Sequence, residues 1–103
     1  MQLKDLASFL DTAVPVSFQE GYDNSGLQVG DPMKTISSGL LSLDVTEQVL
    51  DEAIGSACDV IISHHPVIFN PLKQISGKNS VERVIMKAIR NDVAVYSAHT
   101  NID

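Results

Sequence analysis

Apolar residues along the chain follow a helical period in three segments. A stripe at i, i+3, i+4, i+7 and i+11 predicts a first helix, which Pro15 ends because proline cannot continue a helix. The stripe consists of Leu3, Leu6, Ala7, Leu10 and Val14. Comparable amphipathic stripes predict two more helices, over residues 45–57 and 80–92.

Residues with helix-capping chemistry precede the second and third helices. Asp44 followed by Glu47 supplies a start signal for the second helix, with Thr46 as the alternative. Asn79 and Glu82 have the spacing of a capping box at the start of the third helix.

Strand-like segments alternate with these helices. Strands are predicted over residues 36–44, 58–63 and 93–99, and a brief one in "LQVG", within a mostly loop-like stretch over 17–32. The run "CDVIIS" is too uniformly apolar to be half exposed, which is typical of a strand covered on both faces. The pattern predicts an α/β fold of βαβ units, with a mainly parallel sheet flanked by helices, in a single domain or segment over residues 1–103.

Composition narrows the function classes. Apolar residues make up 44% of the 103 residues and charged residues 19%, as in an ordinary globular chain. With a net charge of −6, the chain lacks the excess of positive charge that is typical of proteins binding nucleic acid or an anionic membrane surface. Cys58 is the single cysteine, and "MQLKDLASFL" contains no signal-type or membrane-spanning run, so we expect a soluble cytoplasmic protein.

Polar side chains follow each of the three main strands. Asp44 follows the first strand, His64 and His65 follow the second, and "HTNID" follows the third. Ligands of open α/β sheets bind beyond the carboxyl ends of the strands, so these residues should converge at one edge. Pro66 biases His65 toward an extended conformation at the point where the strand leaves the sheet.

The two adjacent histidines indicate a metal site. Neighbouring residues of a strand point to opposite faces, which suits one ion for each histidine better than two ligands on one ion. Imidazole together with carboxylate suits Zn, Mn, Fe or Ni. Asp103 is the best candidate for a carboxylate bridging two ions, and Asp44 is the alternative. Two ions need about eight ligand positions, more than these side chains supply, so further protein ligands are expected from elsewhere.

Each candidate also has a structural interpretation. His99 suits a hydrogen-bonded structural role at a strand end, and Asp44 suits a helix cap. The "HHP" histidines suit a surface loop, and Cys58 suits the core because no basic residue flanks it.

Four motifs together resemble one family. They are "YDNSGLQVGD", "LLSLDVTEQVLDEAI", "DVIISHHPVIFNPLKQI" and "VAVYSAHTNID", and their order and spacing are those of the NIF-three-like (NGG-interacting-factor-like) family. Members of that family also carry the name GTP cyclohydrolase 1 type 2. The resemblance covers residues 3–103, although Tyr22 replaces the tryptophan that usually opens the first motif.

The resemblance implies a dinuclear metal centre and a homo-oligomer, a hexameric ring. It implies that His64, His65 and Asp103 are metal ligands and that His99 lies in or beside the site as a candidate proton carrier. Family members are longer and complete the metal shell with a late His and Glu, so this sequence resembles the amino-terminal part of the family. The implied activity is metal-dependent hydrolysis of GTP or a related nucleotide.

Two other functions remain open from the sequence. One is a metal-binding scaffold or protein-interaction factor without turnover, which the family's name favours. The other is a phosphoesterase with an Asp-His-His motif, which Ser63 in the place of the aspartate disfavours.

Overall fold

A computed structural model describes residues 1–15 and 24–98 of the chain. Within these ranges lie three helices and four strands. In chain order they are α1 (Leu3–Ala13), β1 (Gly26–Val29), β2 (Gly39–Ser42), α2 (Glu47–Gly55), β3 (Val60–Ser63), α3 (Ser80–Arg90) and β4 (Ala94–Ser97). Each predicted helix and strand is present, and the predicted α/β class is confirmed.

The sheet is mostly parallel and has the strand order β1-β4-β3-β2. β3 pairs in parallel with both β2 and β4, and α2 and α3 are the crossovers of two βαβ units. β1 pairs antiparallel with β4 and has an irregularity between Leu27 and Val29. The mainly parallel sheet is therefore confirmed, and the brief "LQVG" strand forms its one antiparallel pair within the described residues.

Apolar side chains cover both faces of the sheet. On one face α2 and α3 bury Leu50, Ile85 and Ala88 against Ile61 and Val95 of the central strands. On the other face α1 buries Leu3 in a smaller cluster with Ile36, Val60 and Ala94. Val60 and Ile61 are 2% and 0% exposed on opposite faces, which confirms that β3 is covered on both sides.

The helix starts follow the capping signals in part. Thr46, and not Asp44, caps α2, because its hydroxyl accepts a hydrogen bond from the Val49 amide at 3.1 Å. Asn79 caps α3, because its side-chain oxygen accepts a hydrogen bond from the Glu82 amide at 2.9 Å. The second hydrogen bond of the predicted capping box, from the Asn79 amide to the Glu82 side chain, is replaced by other contacts of Glu82. The Glu82 carboxylate instead accepts from the Ser76 amide at 2.9 Å and the Lys78 amide at 3.3 Å, because the intervening turn points these N–H groups toward it.

None of the helices in residues 1–15 and 24–98 has the length and apolar character needed to cross a membrane.

Candidate metal centre

The carboxyl ends of the three parallel strands lie side by side. Ser42 of β2 is in register with Ser63 of β3, which is in register with Ser97 of β4. The residues that follow these serines therefore leave the sheet at the same edge. This edge brings Asp44 against His65 and the Ala98 carbonyl against His64.

The hydroxyls of these three serines, the serine row, fix the backbone just beyond the strands. Ser42 donates to the Asp44 carbonyl at 2.8 Å, and Ser63 donates to the His65 carbonyl at 2.9 Å. Ser97 donates across strands to the His64 carbonyl at 3.2 Å. Ser63 and Ser97 are buried, and these bonds satisfy their hydroxyls while holding the backbone of both histidines.

The parallel ladder between β2 and β3 continues past the last strand residues. The His64 amide donates to the Ser42 carbonyl at 3.1 Å, and the His65 amide donates to the Leu43 carbonyl at 2.8 Å. The two histidines therefore begin from an ordered backbone, although they lie outside the strand itself.

The rings of the two histidines are held by different neighbouring strands. His65 Nδ1 lies 2.6 Å from Oδ1 of Asp44, which follows β2, and both side chains are partly exposed. His64 Nδ1 lies 3.1 Å from the carbonyl oxygen of Ala98, which follows β4. The ring centroids are 5.0 Å apart and the ring planes are tilted by 54°.

These contacts favour one tautomer for each neutral ring. A carbonyl oxygen only accepts hydrogen bonds, so the contact with Ala98 favours a proton on His64 Nδ1. An ionised Asp44 carboxylate also only accepts, so its contact favours a proton on His65 Nδ1. A neutral imidazole protonated at Nδ1 has its lone pair on Nε2, the form in which a second hydrogen bond orients a metal-binding histidine. A ring in this form could hold a divalent transition-metal ion through Nε2.

The described residues supply only part of a metal shell. Residues 1–15 and 24–98 contain no group of three or more His, Cys, Asp or Glu side chains that could hold a metal ion. The predicted ligand Asp103 and the predicted proton carrier His99 lie outside the described residues, and so does Tyr22. His64 and His65 are the predicted site residues that the structure describes.

The first of the four motifs supports the loop that follows the histidines. Asn24 donates through Nδ2 to the Ile68 carbonyl at 2.7 Å, and the Ile68 amide donates to Gln28 Oε1 at 3.3 Å. Gln28 in turn donates through Nε2 to the Asn24 carbonyl at 2.7 Å. In its described part, the motif "YDNSGLQVGD" therefore holds the backbone after "HHP" in place through these side-chain hydrogen bonds.

The serine row was not predicted from the sequence, although the sequence contains a signal for it. The segments "SLD", "SHH" and "SAH" each place a serine two residues before a metal-binding residue type, at Asp44, His65 and His99. The repetition indicates three strands that end in the same way at the same edge.

The fold and the oriented histidine pair define an α/β protein with a candidate metal centre at the carboxyl edge of its parallel strands. A family model described as Duf34/NIF3 (NGG1p interacting factor 3) matches residues 1–103. The chain belongs to this family, which confirms the resemblance found in the four motifs.

Curated relatives match over the whole chain. A "GTP cyclohydrolase 1 type 2 homolog" of Clostridium acetobutylicum is 40% identical over 103 residues, and "NIF3-like protein 1" of Rattus norvegicus is 43% identical over 104 residues. Each alignment covers 100% of this chain, but only 38% of the first relative and 28% of the second. The chain thus spans less than two fifths of the length of these relatives.

Solved structures share the fold. A Bacillus cereus protein related to NIF3 superposes with a TM-score of 0.91 at 43% identity, covering 100% of this chain and 28% of that chain. A Staphylococcus aureus protein superposes with a TM-score of 0.94 at 39% identity, covering 100% of this chain and 33% of that chain.

Proposed function

We propose that the edge carrying His64 and His65 belongs to a dinuclear metal centre of hydrolase type. The observation that supports the proposal is the pair of Nδ1 contacts, because a second hydrogen bond at Nδ1 is typical of histidines that bind metal through Nε2. Each histidine would hold one divalent ion, Zn, Mn, Fe or Ni, and Asp103 would be the carboxylate shared by the two.

The chemistry of the centre is metal-assisted hydrolysis in the cytoplasm. Two bound ions of this kind supply Lewis-acid polarisation of a substrate and a more acidic bound water. His64 and His65 position the ions, and His99 carries a proton to or from the reacting group. The name of the Clostridium acetobutylicum relative supports GTP or a related nucleotide as the substrate.

A non-catalytic scaffold is the second candidate function. The family's own description names an interacting factor, which supports a protein partner in place of a substrate. Two exposed apolar side chains, Leu41 on β2 and Leu43 just after it, supply a surface for such contacts and for the proposed homo-oligomer.

The test compares the protein at its full native length with its His64→Ala, His65→Ala and Asp103→Asn variants. Elemental analysis measures bound metal, and chromatography of nucleotides measures GTP hydrolysis with added Zn, Mn, Fe or Ni. Each histidine variant should lose metal while its circular dichroism spectrum is retained. Asp103→Asn should weaken the binding of at least one ion, and it should lower kcat far more than it raises KM.

The outcomes separate the two candidate functions. Wild-type protein that binds metal but hydrolyses no nucleotide with any of the four metals would favour the scaffold. Wild-type metal content in both histidine variants would refute the metal centre. Equal activity of wild type and Asp103→Asn at equal metal content would exclude Asp103 as the bridge.

A further inference from the structure

Asp44 is held in place from two directions. Its carbonyl accepts the Ser42 hydroxyl at 2.8 Å, and its carboxylate contacts His65 Nδ1 at 2.6 Å. The helix-capping role that the sequence offered for Asp44 belongs to Thr46. The side chain of Asp44 is therefore directed at the imidazole ring and not at the first turn of α2.

The geometry of imidazole decides between two roles for this carboxylate. Nδ1 and Nε2 point away from each other in the ring plane, so an acceptor on Nδ1 lies across the ring from an ion on Nε2. The Asp44 oxygen that contacts Nδ1 is thus on the wrong side of the ring to share the ion of His65. It is instead placed as the carboxylate of a carboxylate–histidine–metal arrangement.

The two histidines differ in the charge of their partners. His65 faces a carboxylate, whereas His64 faces the neutral carbonyl of Ala98. A charged acceptor strengthens the Nδ1–H hydrogen bond and makes Nε2 a stronger donor to a metal than a neutral acceptor does. The same ligand type therefore occupies two electrostatically unequal positions.

We propose that Asp44 is the positioning residue of His65 and makes the two metal positions unequal, with tighter binding at His65. This inference rests on the metal role of His65 proposed above. Asp44 binds no ion itself; it selects the Nδ1–H tautomer and fixes the ring orientation, so that the Nε2 lone pair is available to the metal.

A weak surface ion pair is the competing explanation. The Asp44 side chain is 62% exposed and the His65 side chain 47%, and exposed ion pairs contribute little to protein stability. Such a pair would leave the tautomer of the neutral ring nearly unbiased, since water competes for both partners. The tautomer therefore distinguishes the two explanations without any metal.

The first measurement is made on metal-free protein by imidazole ¹⁵N NMR at a pH where His65 is neutral. Wild type should show the His65 proton on Nδ1. Asp44→Asn should shift the ring toward a mixture of tautomers, because the amide offers both a donor and an acceptor. Asp51→Asn is the matched control, since it removes the same charge from an exposed aspartate of α2 that pairs with Lys87.

The second measurement is zinc binding by calorimetry on the same variants at full native length. Wild type should bind two ions with unequal affinities. Asp44→Asn should weaken the tighter step by about tenfold to a hundredfold and reduce the inequality, with Asp51→Asn unchanged.

The outcomes keep the two proposals apart. A wild-type His65 with its proton on Nε2, or an even mixture, overturns the positioning role of Asp44 whatever the metal content. Equal zinc affinities in wild type and Asp44→Asn also overturn it. A protonated Nδ1 with no zinc binding by wild type overturns the metal centre but leaves the tautomer assignment to Asp44 standing.

Discussion

The phenol of Tyr96, a residue of β4, is buried and only 2% exposed. Among the described residues its hydroxyl has no hydrogen-bond partner. A buried hydroxyl without a partner forfeits the bonds it would make to water, at a cost of about 1–3 kcal/mol. Desolvation of this group, and secondarily the negative charge of Asp11, raises the pKa of Tyr96 above its ordinary 10.0.

Tyr96→Phe should therefore keep or raise stability, in contrast to most core substitutions. We expect the free energy of unfolding to rise by up to about 1 kcal/mol, because the ring is retained and only the unsatisfied hydroxyl is removed. Urea denaturation with an unchanged m-value measures this. A loss of more than 1 kcal/mol would mean that the hydroxyl is bonded in the protein.

The same residue sets an alkaline limit on stability. Its raised pKa means that the folded state retains the phenol proton at pH values where the unfolded state loses it. The free energy of unfolding should decline as pH rises above 10, and less steeply in Tyr96→Phe. Equal slopes for the two proteins in this window would contradict the assignment.

Two carboxylates set the acidic limit. The Ser76 amide, the first of several donors to Glu82, lowers the pKa of Glu82, and the Ser37 amide, at 2.7 Å, lowers the pKa of Asp59. A carboxyl with a depressed folded pKa stabilises the fold above its unfolded pKa and loses that contribution as pH falls through the folded value. Acid should therefore destabilise the chain progressively below about pH 4.5, the ordinary value of Glu82.

Glu82→Gln tests the acidic limit, because the amide keeps an acceptor oxygen for the Ser76 N–H but no longer titrates. Its free energy of unfolding should be lower than wild type at pH 7 and should change less between pH 5 and pH 3. Glu52→Gln, at an exposed position on α2, is the control. A variant slope identical to that of wild type would exclude Glu82 from the acid response.

At the level of elements, the end of β1 depends on a close approach to β4. Gly30 has φ of +131°, and a Cβ at this position would lie 2.8 Å from the Cβ of Ala94. Both the backbone conformation and the contact require glycine. β1 can lie against β4 as an antiparallel edge strand because this position has no side chain.

Gly30→Ala should accordingly destabilise the chain by about 1–3 kcal/mol, the cost of a strained backbone conformation. Gly55→Ala, at the last residue of α2, is the matched control because a Cβ there meets no atom within 4 Å. The control should stabilise slightly, by up to about 1 kcal/mol. Thermal unfolding of both variants checks the prediction, and similar effects of the two substitutions would contradict it.

The elements and the common carboxyl edge of the strands were predictable, but the individual contacts across that edge were not. The stripes of α1 and α3 and the apolar run of β3 have strong periodicity or composition, so each element was predicted near its observed place. The contact of Asp44 with His65 and the serine row depend on the register between strands, which apolar patterning specifies poorly when both faces of a strand are buried. Predictions for His99 and Asp103 stay predictions, because these residues lie outside the described ranges.

For the whole molecule, the edge strand β2 carries an exposed apolar surface. Leu41 of β2 is 77% exposed and Leu43, in the bend that follows β2, is 68% exposed. Parallel sheets are usually covered on both faces, so this part of the sheet lacks cover within the described residues. An uncovered apolar edge favours association with another chain.

The 103-residue chain on its own should therefore self-associate or bind a hydrophobic dye. Replacing both Leu41 and Leu43 by Lys should reduce dye binding and shift the chain toward monomer, because charge on an edge strand opposes pairing. Ile89→Lys, at an exposed apolar position on α3, is the control and should have little effect. Light scattering and dye fluorescence measure both, and a monodisperse wild-type monomer without dye binding would refute the prediction.

The two rings of the histidine pair are supported by strands that differ in their stability against local opening. The support of His64 follows β4, which is paired on both sides, whereas the support of His65 follows β2, which has a partner on one side only within residues 1–15 and 24–98. Edge strands open locally at lower free energy than the interior of a sheet, so brief fraying of β2 releases the ring of His65 while that of His64 stays anchored. The pair thus loses its arrangement one ring at a time, and amide hydrogen exchange along β2 measures how long both rings are held together.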